Sequence, residues 1–303
     1  MFETVLRACL TVVLLGLGAA SLRGWRRLRA AGHGAAAPGW RLAAYVAGLA
    51  ALAGALLTPL DDLAAELFSA HMAQHLLLTM TAAPLLLLGN PLPIVLWGLP
   101  RRARRALGRP LTRGHRLREV LAALTALPVA WLGHIVTIWI WHLPSLYGAA
   151  LAHEPIHALE HAMFFGTAIL FWWPIIEPAP RVRRHAARGF KIVYLVAATA
   201  QNIFLGMFLS LPERVLYPHY LETAAEHGVD ALADQALAGG LMWGGSHMYL
   251  LPILLILYTF AQESHSEGGS RPPSEPSPPG VAPAEPAPEA FVTPTRSSGV
   301  VAD

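Results

Sequence analysis

The sequence predicts an all-α protein, a bundle of about seven membrane-spanning helices with its N-terminus outside and its C-terminus in the cytoplasm. Three observations predict it. The chain is 54% hydrophobic and only 14% charged, where a soluble domain carries about 25% charged residues. Its apolar residues gather in seven long runs. Its basic residues alternate with acidic ones from one connecting loop to the next.

Crossing about 30 Å of hydrocarbon takes roughly 20 apolar residues in a helix. The runs fall near Thr4–Ala20, Leu42–Leu60, His71–Leu88, Val120–Trp141, Ile156–Ile176, Phe190–Leu211 and Gln235–Phe260. The first is read as a retained helix. Arg23, Arg26, Arg27 and Arg29 follow it, whereas a secretory signal carries its basic flank in front.

Loop charge sets the orientation. The first loop has those arginines and Arg41. The third has Arg101, Arg102, Arg104, Arg105, Arg109, Arg113, Arg116 and Arg118, and the fifth has Arg181, Arg183, Arg184, Arg188 and Lys191. The second loop instead has Asp61, Asp62 and Glu66. The sixth has Glu213, Glu222, Glu226, Asp230 and Asp234. Short basic loops stay in the cytoplasm, so every loop agrees with one topology. The arginine runs are read as this signal and not as a nucleic-acid surface; the bilayer is the expected partner, in the cell (plasma) membrane.

Residues 1–262 are read as the transmembrane domain. Residues 263–303, rich in Pro, Ser and Glu, lack the apolar content to bury a core and read as a disordered cytoplasmic tail. The one cysteine, Cys9, excludes a disulfide framework and a Cys-x-x-Cys metal site. Any metal must be held by nitrogen, oxygen or thioether ligands.

Of fourteen histidines, His33, His115, His185 and His265 fall in cytoplasmic segments. The rest lie in outer loops or spans, and their spacing points to a metal. His71 and His75 are four apart at the outer end of the third span, so they share one helix face. His157 and His161 repeat that spacing in the fifth span, with Glu160 on the same side. His142 ends the fourth span. Neutral imidazole suits copper, zinc or iron, and two helices each bearing an i,i+4 pair could supply four ligands to one ion.

His134, two turns or about 12 Å below His142, and His247 are expected to form a deeper layer near the membrane centre. There they could also serve as axial haem ligands. Met72 and Met248 are soft donors beside histidines, though methionine in a span is more often packing. His153, His219 and His227 read as solvated loop residues. Trp139 and Trp141 read as an outer interfacial belt, and Trp172 and Trp173 as its inner counterpart.

Several of these residues lie in blocks with a family likeness. His71-Met72-Ala73-Gln74-His75, followed by Ala83-Pro84 and Leu88-Gly89-Asn90-Pro91, resembles the signature of the polytopic CtaG-like cytochrome c oxidase assembly family. Trp141-His142-Leu143-Pro144-Ser145-Leu146-Tyr147 with His157, Glu160 and His161 is similar to a second block, and Gly239-Gly240-Leu241-Met242-Trp243 to a third.

The resemblance covers residues 40–260. It implies an assembly factor for a haem–copper terminal oxidase that handles copper and has an oxidase subunit as partner. Single-span factors that share the CtaG name use cysteines, and that pattern is missing here. The resemblance places function at His71, His75, His142, His157, Glu160 and His161, to which membrane position adds His134 and His247. Zinc and haem are the alternative cofactors; a copper permease and a haem-binding electron carrier are the alternative functions. His157-Ala158-Leu159-Glu160-His161 matches the His-x-x-Glu-His order of one metallopeptidase group, but the chain is read as a non-enzyme.

Overall fold

A computed structural model describes residues 1–112 and 114–268, except the side chains of Ala36 and residues 261–268; Arg113 and residues 269–303, most of the expected tail, lie outside it. Met1–Phe260 form one compact unit. Among the described residues every element is helical.

The first span is α1 (Phe2–Ala30), and the second is α2 (Gly39–Leu56), followed by the short α3 (Pro59–Glu66). Thr58 caps α3 by accepting from the Leu60 amide, with Pro59 at its start, where a missing N–H costs nothing. The third span is composite. It comprises α4 (Phe68–Leu76), a π-helical turn over Leu77–Ala82, and α5 (Ala83–Leu88).

Pro84 leaves the π turn one amide short. In a π register the Thr79 carbonyl would bond the amide of residue 84, but Pro84 has none. Trp172 Nε1 donates to that carbonyl instead, at 2.9 Å. Trp172 is therefore buried, and so is Trp141 at the foot of the fourth span. Both were expected in interfacial belts; the Thr79 carbonyl holds Trp172 inside, and Trp141 packs in the core with Phe68, Met72 and Phe164.

Next come α6 (Pro91–Gly98) and the arginine-rich α7 (Arg101–Gly108). The fourth span is broken into α8 (Arg116–Leu124) and α9 (Leu127–Trp141), which meet at a 68° bend. Ala126 is extended at the break and Pro128 sits in the first turn of α9. A lone α9 of 15 residues is about 22 Å long, short of the hydrocarbon thickness.

The short α10 (Pro144–Ala152) leads into the fifth span, α11 (Glu154–Ile176). The sixth span is α12 (Arg188–Ser210). After α13 (His219–Glu226), the seventh span runs through α14 (Ala231–Gly245), a 3-10 turn at Ser246–Tyr249, and α15 (Leu250–Gly268). The last helix continues six residues past the expected start of the tail. Six helices are long and apolar enough to cross a membrane, or seven with the bent α8–α9 pair counted as one.

Large apolar side chains such as Val12, Val193, Phe204, Leu237 and Leu254 are exposed on the outside of the bundle, as a protein solvated by lipid requires. Inside, small residues bring helices together. A Cβ on Gly206 of α12 would come within 2.7 Å of the Gly239 carbonyl of α14. One aromatic core contains Phe68, Met72, Phe164, Tyr147, Tyr217 and Tyr220. A second, around Phe171, Trp172, Tyr194 and Tyr249, fills the other half of the bundle.

Candidate metal centre

Two helices converge to form the centre. His71 and His75 project from one face of α4, and His157, Glu160 and His161 from one face of α11. His71, His75, Glu160 and His161 are buried, and His157 is partly so. Neighbouring imidazole centroids lie between 4.2 and 6.1 Å apart. His71 Nε2 lies 3.0 Å from His75 Nε2. Glu160 Oε2 is 3.8 Å from His71 Nε2, and its Oε1 is 3.8 Å from His75 Nε2.

The donor atoms of His71, His157 and His161 all lie within 4.8 Å of one another, as do those of His71, His75 and Glu160. Nitrogens bound at about 2.0–2.1 Å to a tetrahedral ion stand about 3.3 Å apart. Side-chain adjustments alone could close the set around an ion.

The centre is conspicuous for what its polar atoms lack. His75 Nδ1, His157 Nε2, His161 Nε2 and both Glu160 oxygens are buried with no hydrogen-bond partner among the described residues. Buried polar groups are normally satisfied, and an unsatisfied one costs about 1–3 kcal/mol. His75 presents Nε2 to His71 and Glu160, so the orphans that a cation at the centre would satisfy are those of His157, Glu160 and His161.

A second layer orients the centre. Tyr220 of α13 places its hydroxyl 3.3 Å from His71 Nδ1 and 2.7 Å from the Tyr147 hydroxyl, and donates to the Ala64 carbonyl at 3.1 Å. With Nδ1 so engaged, His71 turns Nε2 to the centre. Burial raises the Tyr147 and Tyr220 phenols well above their ordinary value, so both stay protonated. Asp234 of α14 accepts from the Phe68 amide at 2.7 Å and from the Ser69 amide, capping the helix that carries His71 and His75. Gln74 donates to the Ala55 carbonyl at 2.8 Å and to Asp61 Oδ1 at 2.6 Å.

His142 stands beside the centre without facing it. Its Nδ1 lies 2.8 Å from the Ile138 carbonyl and its Nε2 3.4 Å from Met72 Sδ. It shares a small internal cavity with His75, Phe164 and Asn202. The expected deeper layer is not formed. His134 is buried, with Nδ1 3.0 Å from the Thr167 hydroxyl and its ring against Phe171. His247 is exposed and bonds the Gly244 carbonyl, because the 3-10 turn rotates it out of the bundle. The two share no enclosed site, and Met248 is likewise exposed.

His219 and His227 bond the Ala65 carbonyl and Glu66, fastening α13 to α3. The sequence reading missed Tyr147, Tyr220, Asp234 and Gln74 as supports. Tyr147 and Gln74 carried a signal, since they lie in the Trp141–Tyr147 and His71–His75 blocks.

The fold and this centre together define a polytopic membrane protein with a buried histidine–glutamate cluster near one end of its bundle. The chain belongs to the cytochrome c oxidase caa3 assembly factor family, whose model matches residues 19–262. The expected family and its membrane location are thereby established.

Uncharacterized proteins of Mycobacterium bovis and Mycobacterium tuberculosis are each 28% identical over 278 residues, an overlap of 85% of this chain and 38% of the relative. One of Mycobacterium leprae is 27% identical over 275 residues, covering 87% and 40%. The chain therefore spans about two fifths of the length of these curated relatives. No solved structure matches it.

Proposed function

We propose that the cluster of His71, His75, His157, Glu160 and His161 binds copper as cargo for a maturing haem–copper oxidase, and that the chain is not itself an enzyme. The observation that carries this reading is the convergence of imidazole and carboxylate donors from α4 and α11, with both Glu160 oxygens and the Nε2 atoms of His157 and His161 buried and without hydrogen-bond partners among the described residues. Imidazole and carboxylate without thiolate suit cupric ion or zinc; family membership favours copper. The loop charges support a centre on the outer side, with the N-terminus outside, where an oxidase subunit could take the ion.

Packing supports a carrier over a permease. The half of the bundle beyond Phe164 holds a core of Phe171, Trp172, Tyr194 and Tyr249, and among the described residues it offers no run of ligands across the membrane. His134, buried against Thr167 and Phe171, and His247, exposed and bonded to the Gly244 carbonyl, give a bis-histidine haem less support than the cluster gives a metal ion.

The test is metal titration of the purified protein, with cuprous ion, cupric ion and zinc separately, against a His75→Ala/His161→Ala variant. Stoichiometric copper in the parent, lost in a still-folded variant, is the expected result. Equal binding by both proteins would overturn the site. Copper delivery is tested by the copper content of the oxidase in cells carrying the same variant, which is expected to fall.

A further inference from the structure

A crevice of about 330 Å³ opens beside the cluster, between α1, α3 and α11. His157 and His161 form part of its wall, and His161, buried with an unpartnered Nε2, offers a free donor there. The rim carries four carboxylates, Glu3, Asp61, Asp62 and Glu154, and one guanidinium, Arg7. Arg7 lies 2.7 Å from Glu3, 3.0 Å from Asp61 and 2.5 Å from Asp62. Asp61 is also tied to Gln74, next to His75 in the chain.

We propose that this crevice is the route by which a metal cation reaches the histidine cluster, with Arg7 as its resident counter-cation. The inference rests on the metal-site reading above and adds the path. Four carboxylates against one guanidinium leave the mouth negative, and a negatively lined cleft with low-dielectric walls raises the local concentration of cations and their association rate. Arg7 neutralises the carboxylates while no metal is passing, so an incoming cation competes with it for Asp61 and Asp62. The route ends on His157 and His161, which makes α11 the first helix to bind and α4 the second.

The experiment measures copper uptake by the full chain in detergent, by stopped-flow quenching of tryptophan fluorescence with cupric ion alone. A Glu3→Gln/Asp62→Asn/Glu154→Gln variant removes three of the four carboxylates and leaves the Gln74–Asp61 bond in place. Its association rate is expected to fall about tenfold at low ionic strength, the low end of electrostatic steering. The difference should collapse in high salt, and stoichiometry at saturation should be the parent's. Arg7→Gln, which leaves the carboxylates in place, is expected to bind faster than the parent. Parent-like rates in both variants would overturn the route while leaving the site intact. A parent that takes up no copper would overturn the site and the route together.

Discussion

Replacing Glu160 by leucine should make the metal-free protein more stable while weakening its hold on metal. The Glu160 carboxyl is fully buried, and both oxygens lie 3.8 Å from the nearest histidine nitrogens, beyond hydrogen-bond reach. Leaving such a group unsatisfied costs about 1–3 kcal/mol. Leucine of similar size removes that cost and packs on the same helix face. At about 2–4 °C per kcal/mol for a chain somewhat smaller than this one, the melting temperature in chelator should rise by roughly 2–12 °C.

Metal reverses the ranking. A ligand at 100 times its Kd stabilises the native state by about 2.7 kcal/mol. The parent should gain that shift at a concentration where the variant, one ligand short, gains much less. The assay is thermal unfolding in detergent with chelator and then with cupric ion, followed by tryptophan fluorescence. A variant that melts well below the parent in chelator would refute the reasoning, because Glu160 would then be a satisfied structural group. A full copper shift in the variant would refute its role as a ligand.

Three further outcomes follow from the same geometry. Tyr220→Phe removes the hydroxyl that engages His71 Nδ1 and the Ala64 carbonyl. It should weaken metal affinity 10–100-fold, the usual effect of losing a partner behind a ligand, as read by competitive titration with a chelator. Asp234→Ala uncaps α4 at Phe68 and Ser69 and should cost about 1–2 kcal/mol, seen as a lower melting temperature in chelator. His247→Ala should leave metal stoichiometry unchanged, since that side chain is exposed on the 3-10 turn; loss of metal would return it to the site.

The seven apolar runs and the helix faces were legible because they depend on local rules. A helix must satisfy its own backbone in lipid, so an apolar run of sufficient length is a span whatever it packs against. The i,i+4 spacing places His71 beside His75, and His157 beside His161, whichever way each helix turns. The π turn was not legible: Pro84 shows in the chain that one carbonyl of the third span must lack its amide, but the π register and Trp172 as the substitute donor come from the fold.

What the sequence by itself determined, then, is the set of spans and the two ligand-bearing faces. Only the tertiary structure decided that these faces meet. The relative placement of α4 and α11 rests on contacts far apart in the chain: the Trp172–Thr79 bond and the packing of Phe164 on His75 join α11 to the third span, while the Asp234 cap and the Gln74–Asp61 bond hold α4 from its other sides. The same packing spends His142 on Met72 and a backbone carbonyl, and turns His247 outward. Spacing along one helix is a local property. Convergence between helices depends on long-range packing, and residue pattern alone does not encode its angles.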